Sequence, residues 1–220
     1  MRKLKLAVLI SGGGTNLQAL IDACSSDDYP AQIETVISNR PDAYGLKRAE
    51  LAGIQTLCID HKDYETREDF EDILHDAIKD SGAELICLAG FMRLLTPTFV
   101  GRWKDRMINI HPSLLPSYKG LHTHARAIED GVQFGGCTVH YVRPEMDDGP
   151  IIMQAAVPIE ADETEESLTK KVLKYEHILY PSAVKMIAEG KVRVSGRKCV
   201  FKDMEAGKPG MVNPTLLPAK

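Results

Sequence analysis

Three short segments carry residue types and spacings suited to chemistry. In Asn109-Ile110-His111, a strand would project Asn109 and His111 from one face and turn Ile110 to the core. An amide beside an imidazole suits acyl transfer, since the amide can hold a developing oxyanion while the imidazole moves protons near neutral pH. The same pair also occurs as plain structure. No G-x-S-x-G elbow accompanies it, and Ser113 lies in a proline-bounded loop. Glu145-Met146-Asp147-Asp148-Gly149-Pro150 sets carboxylates in a turn, either as ordinary solvated Asp-Gly turn chemistry or within reach of His111, where an acid favours the imidazolium.

The third segment, Ser11-Gly12-Gly13-Gly14-Thr15-Asn16, falls between an apolar strand and a helix. There, free backbone N–H groups and the helix dipole can hold one phosphate. No Lys follows as in a P-loop, Leu17 stands where a dinucleotide fingerprint needs its third glycine, and the next strand ends in Ser38-Asn39-Arg40 rather than an acid. A monophosphate therefore fits better than NAD, and a tight turn that only opens a helix would use the same residues. His111, His122, His124 and His140 lie near one another in sequence, but the His122/His124 pair cannot ligate from one helix face and no mixed Cys/His spacing appears. No metal is expected. Cys24, Cys58, Cys87, Cys137 and Cys199 are widely spaced and read as reduced thiols.

The elements that must position these residues follow from periodicity. Leu4 to Ile10, Ile33 to Ser38, Ile54 to Ile59, Leu85 to Ala89 and Met107 to Ile110 read as strands. Between them run a helix carrying Leu17, Leu20, Ile21 and Cys24, another over Ala43 to Ala52, and a short one begun by Thr96-Pro97. The firmest helix signal is Thr66 with Asp69 as an N-terminal cap, then Phe70, Ile73, Leu74, Ala77 and Ile78 as an apolar stripe closed by Gly82. His111 to Leu121 has no period and reads as a shaped loop. Strands near Cys137 to Val142 and Ile151 to Pro158 follow, then a long helix with Leu168, Val172, Tyr175 and Leu179 that Pro181 kinks. Such alternation predicts an α/β fold with a doubly wound, mostly parallel central sheet and helices on both faces.

The chain has 220 residues, against roughly 150 in a typical domain, so one large domain is expected over residues 1–201. A phosphate-binding half would occupy about 1–104 and a catalytic half about 105–201, with 202–220 as a loosely attached tail. The formal charge of −4 disfavours a polyphosphate partner. The apolar runs are far short of the roughly 20 residues that span a bilayer, and the start lacks a signal-peptide core. A cytoplasmic protein acting on small molecules, with neither nucleic acid nor membrane, is the expectation.

Taken in order, Ser11 to Asn16, Ala89 to Leu95, Asn109 to Pro116, Gly120 to His124, Thr138 to His140, Met146 to Pro150, Glu176-His177 and Tyr180-Pro181 resemble the phosphoribosylglycinamide formyltransferase family over most of residues 4–190. The resemblance implies direct formyl transfer from 10-formyltetrahydrofolate, as co-substrate, to the amine of phosphoribosylglycinamide in purine synthesis, by a monomer or homodimer. It implies that Gly14, Thr15, Asn16 and Glu176 hold the ribonucleotide. Met92, Arg93, Leu94, Leu95, Asn109 and the turn Arg143, Pro144, Glu145, Met146 and Asp147 would line the folate site, with Arg67 for the glutamate carboxylate. Asn109 and His111 would stabilise the oxyanion, while Asp147 assists His111 and the proton's passage from amine to folate nitrogen.

The sequence departs from the family pattern at Asp148, where a second glycine is often found, at Pro144, and at Leu173, which replaces a polar residue near the substrate. The methionyl-tRNA formyltransferase type shares the Ser113 to Pro116 loop but normally adds a basic RNA domain, for which 220 residues leave no room. The formyltetrahydrofolate hydrolase type shares the Asn, His and Asp set but usually adds an amino-terminal regulatory domain. A non-catalytic nucleotide-binding module would need the glycine-rich turn without Asn109, His111 and Asp147 together.

Overall fold

Leu4–Ile10 forms β1, and its side chains are sorted by alternation. Leu6, Val8 and Ile10 enter one core cluster while Ala7 and Leu9 enter a second. Burial on both faces is the condition of a central parallel strand. The computed structural model describes residues 2–203, and in it β1 is flanked by β2 (Ala31–Ser38) and β4 (Leu85–Leu88). The complete order is β3-β2-β1-β4-β5-β6-β7, with β3 at Gln55–Cys58, β5 at Met107–His111, β6 at Phe134–Tyr141 and β7 at Ile151–Pro158. The first five strands are parallel, β6 runs antiparallel to β5, and β7 runs antiparallel to β6. The doubly wound, mostly parallel sheet expected from sequence is present.

On the first face pack α1 (Thr15–Cys24), α2 (Tyr44–Leu51), the short α5 (Thr123–Glu129) and the long α6 (Glu165–Ala188). The second face is covered by α3 (Arg67–Asp80) and α4 (Pro97–Arg102) through Phe70, Leu74, Ile78, Phe99 and Val100. Thr66 caps α3 by accepting from the Asp69 N–H at 3.1 Å, as its spacing predicts. Two positions of the expected stripes differ: Ile73 and Tyr175 are exposed, while Glu71 and Glu176 are buried. In each case a carboxylate turned inward finds donors, Thr96 for Glu71 and Asn16 for Glu176. The α6 helix continues past Pro181 to Ala188. A hairpin, β8 (Val192–Ser195) with β9 (Lys198–Phe201), follows it. The expected tail falls mainly on residues 204–220, outside the described residues.

Strand order reverses at β1 and β4, so the loops after both strands open one crevice at their carboxyl ends, the place where such sheets bind ligands. The second helix layer stops short of β5. Of that strand only Met107 joins its core, and Asn109 and His111 continue the same face beyond it. Loops close over them instead.

Candidate active site

The parallel register sets Asn109 level with Leu88, the last residue of β4, and the antiparallel register sets it opposite His140. Cross-strand partners on one face meet, and the Asn109 Nδ2 lies 3.3 Å from His140 Nε2. The other ring nitrogen of His140, Nδ1, is 3.0 Å from the Tyr141 carbonyl. A carbonyl only accepts, so Nδ1 carries the proton and Nε2 receives one Asn109 N–H. Burial pushes the His140 pKa below its ordinary value, consistent with the neutral ring. Asn109 keeps a second N–H with no hydrogen-bond partner among the described residues.

His111 is also buried, at 6% exposure. Its Nε2 donates to the Tyr118 carbonyl at 3.0 Å, and its Nδ1 lies 3.5 Å from Asp147 Oδ2. The Tyr118 carbonyl thus holds the Nε2 side of the ring, and the Asp147 carboxylate stands opposite Nδ1, where it can accept a proton carried by that nitrogen. Asp147 reaches His111 from the loop between β6 and β7, with φ at 51° and Oδ2 accepting the Gly120 N–H at 2.9 Å. Its Oδ1 is 3.8 Å from His140 Nε2. The loop from Pro112 to Tyr118 is shaped from below by Thr138, whose hydroxyl donates to the Ser113 carbonyl at 2.7 Å and accepts the Leu115 N–H at 3.1 Å.

The glycine-rich turn leads into α1 through Gly14, at φ 70° and with no side-chain cap on the helix. A Cβ there would lie 2.8 Å from the Cα of Gly45, so this position needs glycine both for its conformation and for close packing. The first-turn N–H groups remain open to an anion, and no acid stands in that turn. Arg48 braces the turn by donating from Nε to the Gly13 carbonyl at 2.8 Å. Asn16 Nδ2 donates to Glu176 Oε2 at 2.6 Å, while Asn16 Oδ1 is buried without a hydrogen-bond partner among the described residues. Burial raises the Glu176 pKa against the opposing pull of Asn16.

Beside this turn, the Met92–Leu95 segment leaves the end of β4. Ser11 Oγ accepts the Met92 N–H at 2.8 Å and donates to Asn39 Oδ1. At the other end, Glu71 accepts from the Thr96 N–H at 2.8 Å and from its hydroxyl. Between these anchors Met92 and Leu94 are 67% and 62% exposed, which leaves two apolar side chains standing at the crevice. Met146 is exposed on the acid-bearing loop, as are Pro144 and Glu145. Arg143 is engaged elsewhere, with Asp105 and the Val142 carbonyl. Arg67 opens α3, exposed, and Arg93 is half-buried; no hydrogen bond joins either to the other candidates. Asn109, His111 and Asp147 thus come together, as do Gly14, Thr15, Asn16 and Glu176. His140, Tyr118, Thr138 and Arg48 are site-building residues that sequence reading missed. His140 stands out in sequence within the family-like Thr138–His140 segment and the histidine cluster, without its pairing to Asn109; among the described residues no group of three or more metal-ligating side chains exists.

Residues 4–184 match the family described as formyl transferase. The phosphoribosylglycinamide formyltransferases of Escherichia coli (strain K12) and Haemophilus influenzae are each 43% identical to the chain. The first alignment covers 87% of this chain and 90% of the relative, the second 95% and 99%. This chain belongs to the formyl transferase family. A longer formyl transferase relative, the trifunctional purine biosynthetic protein adenosine-3 of Gallus gallus, is 47% identical over 90% of this chain, which spans 20% of that protein. A solved formyl transferase, the phosphoribosylglycinamide formyltransferase of Coxiella burnetii, is 46% identical with TM-score 0.88, over 91% of this chain and 94% of that one. Glycinamide ribonucleotide transformylase 1 of Symbiobacterium toebii is 44% identical with TM-score 0.89, over 91% and 95%. The formyl transferase match holds both residue groups and ends within α6, so the β8–β9 hairpin lies beyond it.

Proposed function

We infer that this chain transfers the formyl group of 10-formyltetrahydrofolate to the amine of phosphoribosylglycinamide, giving formylglycinamide ribonucleotide and tetrahydrofolate in purine synthesis. The observation that carries the reading is the His111 ring, held between the Tyr118 carbonyl and Asp147 beside the free N–H of Asn109. Relatives covered almost end to end bear the name of this activity.

The reaction needs the amine nitrogen to bond to the formyl carbon, the bond from that carbon to the folate nitrogen to break, and one proton to pass from the first nitrogen to the second. The uncommitted N–H of Asn109 is a donor for the carbonyl oxygen as it becomes negative, a kind of contact that contributes about 3 kcal/mol in acyl transfer, and the His111 ring stands beside it with both nitrogens engaged by Tyr118 and Asp147. Asp147, the one acid within salt-bridge distance of His111 among the described residues, faces the ring's Nδ1 and receives and returns the moving proton. Glycines and open N–H groups at α1 suit the single phosphate of a ribonucleotide, with Glu176 and Asn16 beside it for the sugar or amine. Met92, Leu94 and Met146 supply apolar faces for a flat pteridine. Arg93, Leu95, Arg143, Pro144 and Glu145 border that slot, and Arg67 would need to reach the glutamate tail from the start of α3.

Transfer of this kind runs without a metal or covalent enzyme intermediate, and the reading carries with it a cytoplasmic monomer or homodimer. Among the described residues no helix is long and apolar enough to cross a membrane. Incubation with formylfolate and glycinamide ribonucleotide, followed by folate absorbance, tests the activity. Stoichiometric formylation of the ribonucleotide is expected. Binding of both ligands without turnover would overturn the reading in favour of a binding module.

A further inference from the structure

Asp148 has no step in the chemistry above, and a glycine is often found at its place in the family pattern. In the structure it is the meeting point of three segments. Lys119 donates to its Oδ1, and Arg197 donates to its Oδ2 at 2.7 Å. Lys119 sits in the loop that presents the Tyr118 carbonyl to His111 and the Gly120 N–H to Asp147. Arg197 stands at the turn of the β8–β9 hairpin, past the end of the family match. The hydrogen bond from Lys119 leads the causes that hold the Asp148 carboxyl below the usual range, so the group is charged near neutral pH.

The acid-bearing loop is therefore fastened at three consecutive residues. Asp147 is held by Gly120, Asp148 by the two cations, and Gly149 packs so closely that a Cβ would lie 1.5 Å from the Tyr141 carbonyl oxygen. Asp147 benefits from such support because its φ of 51° is left-handed, a conformation uncommon for residues other than glycine even though aspartate tolerates it better than most.

We propose that Asp148, Lys119 and Arg197 form a clasp that positions the Asp147 carboxylate against His111 and makes the β8–β9 hairpin part of the positioning machinery. The proposal rests on the reading that Asp147 serves formyl transfer. Lys119 and Asp148 are part-buried, while Arg197 is 86% exposed at its side chain. Exposed ion pairs contribute little to global stability, so the clasp acts on the placement of one loop, and its loss appears in rate more than in unfolding. Small misplacements of a reacting group carry large rate penalties.

The test uses the full chain and steady-state formyl transfer with both substrates varied. Asp148→Asn, which keeps size and removes charge, is expected to lower kcat about tenfold while each KM stays within about twofold. Lys119→Met and Arg197→Met are each expected to lower kcat about threefold, with Lys119→Arg and Arg197→Lys restoring most of it. The decisive comparison is the Asp147→Asn background: a residue acting through Asp147 has nothing left to position, so adding Asp148→Asn changes kcat no further. If unsubstituted protein transfers formyl but Asp147→Asn does so equally well, the reading of Asp147 fails. If Asp147→Asn is impaired while Asp148→Asn is not, the clasp alone is overturned. It is also overturned if Asp148→Asn costs the same factor in both backgrounds, or if its loss follows a fall in melting temperature rather than kcat at full folding.

Discussion

Asn109 has one amide nitrogen with two hydrogens, and the structure commits only one of them, to a His140 ring kept neutral by burial. The other is left for a ligand. That division makes the neighbouring pair decisive: His111→Ala and Asp147→Asn are each expected to lower formyl transfer at least about 100-fold, the scale of acid–base groups, in steady-state assays with both variants folded. Asn109 and His111 were legible in sequence because strand alternation alone places them on one face. Asp147 was selected over Asp148 by family spacing, not by geometry. Its meeting with His111 depends on the β5–β6 register and on a left-handed turn, neither of which a single sequence displays. His140 was missed for the same reason, since its role is to stand across from Asn109 on another strand.

At the level of elements, β1 and α3 are readable because local signals agree with the fold: an apolar strand buried on both faces, and a cap, stripe and glycine stop. The short α5 was not read, because its seven residues bury only Thr123 and Ala127 and offer too little periodicity. The hairpin's Val192, Val194 and Val200 alternation around Gly196 was a usable signal that the active-site motifs overshadowed. Element geometry yields two tests. Gly14→Val, placed at the left-handed entrance to α1 against Gly45, is expected to weaken ribonucleotide binding about tenfold or more while folate binding is unchanged, as titration of each ligand would show. Glu71→Ala leaves the Thr96 N–H without its partner, at about 1–3 kcal/mol of stability. Chemical denaturation should read that loss, accompanied by weaker folate binding as the Met92–Leu95 segment loosens.

The molecule as a whole carries buried and half-buried ionisable groups whose pKa shifts act on stability in opposite senses. His124, His140 and His177 all have pKa values lowered by burial from 6.5. Below 6.5 the unfolded chain takes up protons that the folded one refuses, so stability falls as pH drops through that region. Glu176 works the other way, because its raised pKa favours the folded state at acid pH and costs stability as the carboxyl ionises above its ordinary 4.5. Three groups against one predict a net loss of unfolding free energy on acidification from about pH 8 to about pH 5, the range over which histidines charge. Denaturant titrations across that range should show it, with a shallower slope in His140→Gln; a flat or rising profile would contradict it. The reversal of strand direction after β5 has a different consequence. It brings the acid to the imidazole from the connection between β6 and β7, next to β5 in the sheet but separate from it along the chain. Because the Arg143–Gly149 loop carries Met146 as well as Asp147, insertions or exchanges in it are expected to change the proposed folate slot and the acid together, while the phosphate turn at α1 stays as it is.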